Sequence, residues 1–231
     1  MKRFYKQADV AEVDGGYSVT LDGRSVRTPA RALLAVPSRA LAEAMAAEWN
    51  AQGEEIDPRS MVFTGLANGA IDQIAPDPIS YGKGVAVYGE SDLLCYRAES
   101  PSSLVAEQQA AWGPLLDWAA RRYDVSFNLA TGIVHVAQPG ETVARLAAAV
   151  AACDAFQLAG LSTLVSMSGS LVIGLAVLEQ AFPIDHLWQA AELDELYQVK
   201  QWGEDELAAK RRALRETDFA QAAEFLALLG S

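Results

Sequence analysis

The spacing of apolar residues changes along this chain, and that change constrains the fold more than any other feature. In residues 4–36, apolar and polar side chains alternate, most clearly in residues 17–21, which is the period of a half-buried strand. Asp-Gly-Gly at residues 14–16 and Asp-Gly at residues 22–23 separate these runs and suit the positive φ of hairpin turns. The segment is therefore predicted to form a β-meander, with a last strand over residues 33–36.

Helical spacing begins after Pro37. Ser38 is the predicted N-cap, and Leu41, Met45 and Trp49 follow at i, i+4 and i+8 on one apolar face. Gly53 is expected to end this helix in the left-handed conformation that glycine favours.

The remaining chain is predicted to be mostly helical. A second helix follows Pro58 and ends before Pro76, and short strands are expected at residues 93–97 and 133–136. Further helices are predicted over residues 103–123, 142–153, 154–167, 170–181, 185–197, 204–215 and 218–229. The composition shifts from Gly, Val and Thr to Ala and Leu, which indicates an α+β fold. We expect an N-terminal α+β domain over residues 1–92 and a mostly α-helical domain over residues 93–231.

Charge excludes some functions. The chain has 30 acidic and 18 basic residues and a net charge of −12, so general nucleic-acid binding is not expected, because phosphate contacts need clustered Lys and Arg. Residues 155–178 carry no charge, but polar side chains and glycines interrupt them. We predict two buried helices separated near Gly169, with no membrane insertion. The first residues do not resemble a secretion signal, which favours a cytoplasmic protein.

Specific catalytic motifs are missing from the sequence. There is no phosphate-binding GxxxxGK[ST] loop, no GxGxxG and no GxSxG. Cys95 and Cys153 have no metal or redox spacing and are predicted to be free thiols. Cys95 with His135 is a conceivable nucleophile and base, although a core thiol and a surface histidine are the expected interpretation. No cofactor or metal site is predicted.

An acidic cluster surrounds Trp202. Three interpretations of it stay open: a solvated surface, a docking surface for a basic or polar partner, and a carboxylate set for a metal-dependent hydrolase using Glu192, Glu195 and Asp205. Trp202 itself is either a core residue or a half-exposed anchor for a partner. The predicted partner-binding residues are Glu192, Asp194, Glu195, Trp202, Asp205 and Glu206.

Short segments along nearly the whole chain resemble one family, the assembly chaperones of the F1 ATP synthase alpha subunit. These segments are KRFYK at residues 2–6, LDGRSVRTP at 21–29, DLLCYR at 92–97, PLLDWA at 114–119, ELYQ at 195–198 and WG at 202–203. The chain departs from the family pattern in two places: Val62 stands where a proline is usual, and Leu207 stands where an acidic residue is usual.

This resemblance implies a small β-containing N-terminal domain followed by an orthogonal helical bundle. It also implies a function without catalysis, in which the protein holds the unassembled alpha subunit until the beta subunit replaces it. A bacterial, cytoplasmic and monomeric protein is expected. The alternatives are the small metal-dependent hydrolase and a scaffold for a different client.

Overall fold

The computed structural model describes residues 1–132 and 134–230, which divide into two compact units. The first unit contains Met1–Pro78, Cys153–Gly160 and the end of the chain from Gln221. The second contains Ile79–Ala152 and Leu161–Ala220. The domain boundary predicted after residue 92 stays a prediction.

A four-stranded antiparallel sheet forms the β-part of the first unit. Its central strand, β2, pairs with each of the other three, and β4 joins β2 beside β3. The strands are β1 (Ala8–Val13), β2 (Gly16–Leu21), β3 (Arg24–Ser25) and β4 (Ala35–Val36). The predicted hairpins are confirmed. The last strand pairs with β2, and it also contacts its predecessor through an antiparallel bridge between Arg27 and Leu33.

Both hairpin turns use positive φ angles, as their sequences predict. Asp22 and Gly23 have φ angles of 48° and 82°, the combination found in type I′ turns. Gly16 has a φ of 136°, and a Cβ atom there would collide with the carbonyl oxygen of Val36. Only glycine therefore fits where β4 approaches the first turn.

Helix α1 (Arg39–Asn50) packs on this sheet, with Leu41 and Met45 buried. Its predicted N-cap is confirmed, because the hydroxyl of Ser38 accepts a hydrogen bond from the Leu41 amide at 3.0 Å. The predicted role of Gly53 is wrong, since the helix ends at Asn50 and the cap residue keeps a right-handed conformation.

The next helical segment begins with a cap from a distant residue. Helix α2 (Val62–Gly69) has no capping side chain at its own N-terminus. Instead, the carboxylate of Glu48 accepts hydrogen bonds from the amides of Phe63 and Thr64 at 2.7 and 2.9 Å. This cap supports the helix start although proline is missing there. A π-helical turn, Ala70–Ile74, continues α2.

The second unit is built mainly from helices, with a two-stranded parallel sheet made of β5 and β6. In chain order its elements are α3 (Pro78–Ala86), β5 (Tyr96–Arg97), α4 (Ser102–Tyr123), β6 (Ala130–Thr131), α5 (Gly140–Ala151), α6 (Ala155–Ser168), α7 (Leu171–Leu178), α8 (Ile184–Ala191), α9 (Leu193–Trp202) and α10 (Glu206–Leu229). Pro78, the first residue of α3, belongs to the first unit, and α6 and α10 each contribute residues to both units.

The charge-free stretch forms α6 and α7, as predicted. Gly169, with a φ of 68°, separates them, and the Ser170 hydroxyl accepts a hydrogen bond from the Ile173 amide at 3.0 Å. Within the described ranges, no helix combines the length and the apolar character that a membrane span needs.

Two predicted strands differ from the observed ones. Residues 93–97 contain a 3₁₀ turn, Leu93–Cys95, before β5, because the Asp92 carboxylate accepts the Leu94 amide and caps that turn. The strand predicted at residues 133–136 begins at Ile133, which lies outside the described residues, and the partner of β5 is β6.

Two helix predictions also need correction. The single helix predicted over residues 185–197 is divided into α8 and α9 at Glu192, which has φ −98° and ψ 8°. The two helices predicted over residues 204–215 and 218–229 are one continuous helix, α10. Thr217 lies inside it, and its hydroxyl donates to the carbonyl oxygen of Ala213 at 3.0 Å, which keeps the hydroxyl satisfied within the helix.

Asp92 is a fully buried carboxyl group in this unit. Besides the Leu94 amide at 3.0 Å, it accepts the Val172 amide in the first turn of α7 at 2.9 Å. Burial raises the pKa of Asp92 to about 6, although these hydrogen bonds favour the ionised form. Asp92 therefore connects the 3₁₀ turn to α7 with a group that is costly to ionise.

Candidate partner-binding surface

The candidate surface lies where α9 ends and α10 begins. Gly203, with a φ of 90°, ends α9 immediately after Trp202. Two residues later, the carboxylate of Asp205 accepts a hydrogen bond from the Ala208 amide at 2.9 Å, which is an N-cap interaction. The connection is therefore short and fixed at both ends by local geometry.

Glu192 is buried at the α8–α9 break, with 4% of its surface exposed. One of its carboxylate oxygens lies 2.8 Å from the guanidinium of Arg215 on α10. Burial raises the pKa of Glu192, and the charge of Arg215 opposes this effect in part. The expectation that Glu192 lies on a solvated surface is wrong, because the arginine of another helix covers its carboxylate.

Two arginines of α10 neutralise the neighbouring acidic residues as well. Arg212 forms an ion pair with Glu204, and its guanidinium lies 3.6 Å from the Glu195 carboxylate. Arg215 lies 3.9 Å from Glu195, and it also donates to the carbonyl oxygen of Met167 at 3.0 Å. The first part of the acidic cluster is thus a charge network that joins α9 to α10.

Asp194 has a different position from the rest of the cluster. Its carboxylate accepts a hydrogen bond from the side-chain amide of Gln108 at 2.7 Å. Gln108 is buried on α4, and the oxygen of its side-chain amide accepts the Ala98 amide at 2.8 Å. Asp194 therefore attaches α9 to α4, apart from the surface around Trp202.

Trp202 is exposed over 79% of its surface, which contradicts the interpretation of it as a core residue. Leu207 and Leu214 of α10 are also exposed, and their spacing of seven residues places them on the same side of the helix. We call Trp202, Leu207 and Leu214 the exposed apolar set. Glu206, beside this set, is paired with Lys210 at 2.6 Å in an exposed contact.

The structure therefore separates the six predicted residues. Glu192 and Glu195 lie together against Arg215, Asp194 contacts α4, and Trp202, Asp205 and Glu206 lie along the connection between α9 and α10. The two arginines were missed in the sequence, although basic residues soon after an acidic run are a usual sign of ion pairing.

The arrangement does not suit metal-assisted hydrolysis. Arginines bind the carboxylates of Glu192 and Glu195, and Asp205 caps a helix. In residues 1–132 and 134–230, no three His, Cys, Asp or Glu side chains are grouped to hold a metal ion.

The cysteines do not suit nucleophilic catalysis either. Burial raises the pKa of Cys95 to about 12, so its thiol stays protonated. His135 is exposed, and its Nδ1 atom lies 2.9 Å from the Tyr96 hydroxyl. The interpretation of a core thiol and a surface histidine is confirmed, and neither Cys95 nor Cys153 forms a disulfide with a described residue.

Comparisons with known proteins agree with this non-catalytic geometry. Residues 2–120, more than half of the chain, match the model of the ATP12 chaperone protein family. The chain belongs to this family. It is a family of chaperones of ATP synthase assembly, and the protein is not an enzyme. The hydrolase alternative is therefore wrong.

Solved structures show the same fold. The crystal structure of Atp12 from Paracoccus denitrificans superposes with a TM-score of 0.94 at 37% identity, covering 99% of this chain and 98% of that one. The Atu1473 protein from Agrobacterium tumefaciens gives 0.94 at 42% identity, over 99% and 86% of the two chains. The predicted α+β fold class is confirmed.

A eukaryotic relative is more distant. The mitochondrial protein atp12 of Schizosaccharomyces pombe is 23% identical over 214 residues, which is 87% of this chain and 74% of the relative.

Proposed function

We propose that this ATP12-family chaperone binds the unassembled alpha subunit of F1 ATP synthase and releases it to the beta subunit. A subunit made for a ring exposes apolar surface while it is alone, and such surface promotes aggregation. A chaperone that covers this surface needs an apolar contact area of its own and no catalytic group. The exposed Trp202 is the observation that carries the proposal.

The exposed apolar set supplies that contact area. Large aromatic side chains dominate the energetics of protein interfaces, and Trp is enriched among the residues that contribute most. The helix ends on both sides of Trp202 are fixed. A partner that covers Trp202 therefore has little loop to order, which keeps the entropic cost of binding low. Leu207 and Leu214 add two exposed apolar side chains on one side of α10.

The charged residues of the region take two parts in this proposal. Asp205 and Glu206 are exposed and form a polar rim beside Trp202, as is usual around an interface core. Glu192, Asp194 and Glu195 position α9 by contacts with α10 and α4. All six predicted residues thus contribute to client binding, three at the surface and three by holding the helix that presents it.

Release needs no nucleotide in this scheme. When the beta subunit binds the same face of the alpha subunit more favourably, mass action displaces the chaperone. We further propose that the step takes place in the cytoplasm of a bacterium with the chaperone as a monomer; the similar proteins of Paracoccus and Agrobacterium support a bacterial setting.

The test is capture of the purified alpha subunit by the wild-type protein and by Trp202→Ala. Loss of a central Trp costs about 2 kcal/mol or more, so we expect at least about 30-fold weaker binding. Ile79→Ala is the matched control, because Ile79 is an exposed apolar residue on α3, and it should bind as the wild type does. Equal capture by Trp202→Ala and the wild type would remove Trp202 from the interface. Failure of the wild type to capture the alpha subunit would refute the proposed client.

A further inference from the structure

The first unit has a groove of its own, with a volume of about 620 Å³. Met1, Phe4, Leu21 and Trp49 supply its apolar lining. Phe4 is 67% exposed and Met1 is exposed as well, although both are large apolar side chains that line one groove. The groove therefore presents apolar surface to solvent, and the residues that line it are far from Trp202 in the sequence.

Positive charge borders this groove. Arg24 and Arg27 line it, and neither forms an ion pair with any described residue. Asp22 also lines it, but its carboxylate accepts the amides of Gln7 and Lys6, which lower the pKa of Asp22. Its negative charge is thus already engaged by the backbone. Arg27 donates a hydrogen bond to the Arg31 carbonyl at 2.9 Å, which leaves its charge unneutralised. Two arginines that form no ion pair with a described residue, beside an apolar groove, favour an acidic occupant.

An open strand edge borders the same groove. Strand β3 pairs with β2 on one side, and no strand in the described part of the chain pairs with Arg24–Ser25 from the other side. Val26 donates its amide to the Val19 carbonyl at 2.9 Å. Because hydrogen-bonded and non-hydrogen-bonded pairs alternate in an antiparallel ladder, the peptide groups of Ser25 point away from β2. They are available to a further strand.

We propose that this groove binds an extended peptide segment of a partner protein, in which apolar and acidic side chains alternate, by strand addition to β3. Side chains of a strand alternate between its two faces, so one set can enter the apolar groove while a carboxylate of the other set reaches Arg24 or Arg27. Strand addition to an exposed edge is an established mode of peptide recognition. A nucleic acid or an anionic membrane is disfavoured, because phosphate contacts need clustered Lys and Arg, whereas the lining of this groove has two arginines and one aspartate.

Fluorescence polarisation with labelled peptides of about ten residues, alternating Leu and Glu, tests the proposal. We expect the parent peptide to bind the wild type. A peptide in which Lys replaces Glu should bind at least about tenfold more weakly. Arg24→Glu combined with Arg27→Glu should cause a similar loss. Arg59→Glu, a change at an exposed arginine elsewhere in the unit, should bind as the wild type does. Phe4→Ala should weaken binding as well.

Two further peptides test strand addition itself. One is N-methylated on its Leu amides and the other on its Glu amides. Since alternate amides of a strand face the same neighbour, only one of the two peptides should lose binding, and the parent peptide should protect the Ser25 amide from hydrogen exchange.

Four results would overturn the proposal: no binding of the parent peptide, equal binding of the Lys peptide, unchanged binding of both methylated peptides, or preferential binding of vesicles rich in anionic lipid. No alpha subunit is present in these experiments, so their outcome is independent of the client proposed for Trp202.

Discussion

The acidic side chains before and after α9 have opposite surroundings. Before the helix, Glu192 is buried against Arg215. After it, Asp205 and Glu206 are exposed, and Trp202 beside them is exposed too. Carboxylates of the same cluster therefore serve different purposes: the first holds helices together, and the second group borders a surface that a partner can cover. The contrast predicts that a change at Glu192 affects folding and that changes at Trp202 and Glu206 affect binding.

The largest effect is expected at Glu192. In Glu192→Lys, a second positive charge would lie against Arg215. Loss of one partner from a buried ion pair costs up to about 3–5 kcal/mol, and solvent reduces this cost here because the Arg215 side chain is 42% exposed. Urea unfolding should show this loss. The matched exposed change, Glu206→Lys, should cost less than about 1 kcal/mol, since it affects a surface pair and a helix terminus. Similar losses of unfolding free energy in the two variants would contradict the distinction between buried and exposed carboxylates.

The second effect concerns pH and the other buried carboxyl group, Asp92. Its folded pKa of about 6 lies above the value near 4 that is usual for an exposed Asp, so ionisation favours the unfolded chain. The contribution to stability is complete below about pH 4, decreases as the pH rises to about 6, and stays constant above that; the decrease is on the order of 2–3 kcal/mol.

The Asp92→Asn variant has no ionisable group at this position, so its free energy of unfolding should show little of this decrease with rising pH. The measurement is urea unfolding of both proteins between pH 4 and 7. A decrease of the same size in Asp92→Asn would show that other groups cause it.

The smallest effect is expected at Asp205. Asp205→Ala removes the N-cap of α10 and should cost about 1 kcal/mol, whereas Asp205→Asn keeps a capping oxygen and should be nearly neutral for stability. Thermal unfolding distinguishes the two. If Asp205→Asn keeps stability but weakens capture of the alpha subunit, the charge of Asp205 belongs to the interface. If it changes neither property, Asp205 is only a cap.

Features that depend on local chemistry could be predicted from the sequence. The positive φ angles at Asp22 and Gly23, the Ser38 cap and the separation of α6 from α7 at Gly169 each follow from a few adjacent residues. Family resemblance indicated the chaperone function, which the family comparison then confirmed.

Features that depend on tertiary contacts could not be predicted. The burial of Glu192 at the α8–α9 break could not be foreseen, because its partner Arg215 lies far along the chain. Gly53 was expected to cap α1, but the distant Arg3 donates to the carbonyl oxygens of Asn50 and Gln52 at 3.3 and 2.5 Å instead. The exposure of Trp202 was equally undetermined, because helical spacing does not tell which side of a terminal helix another element covers.

The central claim is that this protein shields the alpha subunit without catalysis, and light scattering of the free alpha subunit tests it most directly. With an equimolar amount of the wild-type chaperone, scattering should stay near the baseline, and added beta subunit should then displace the chaperone into free solution. The Trp202→Ala variant should protect much less. If the alpha subunit aggregates equally with and without the wild-type protein, the account is contradicted.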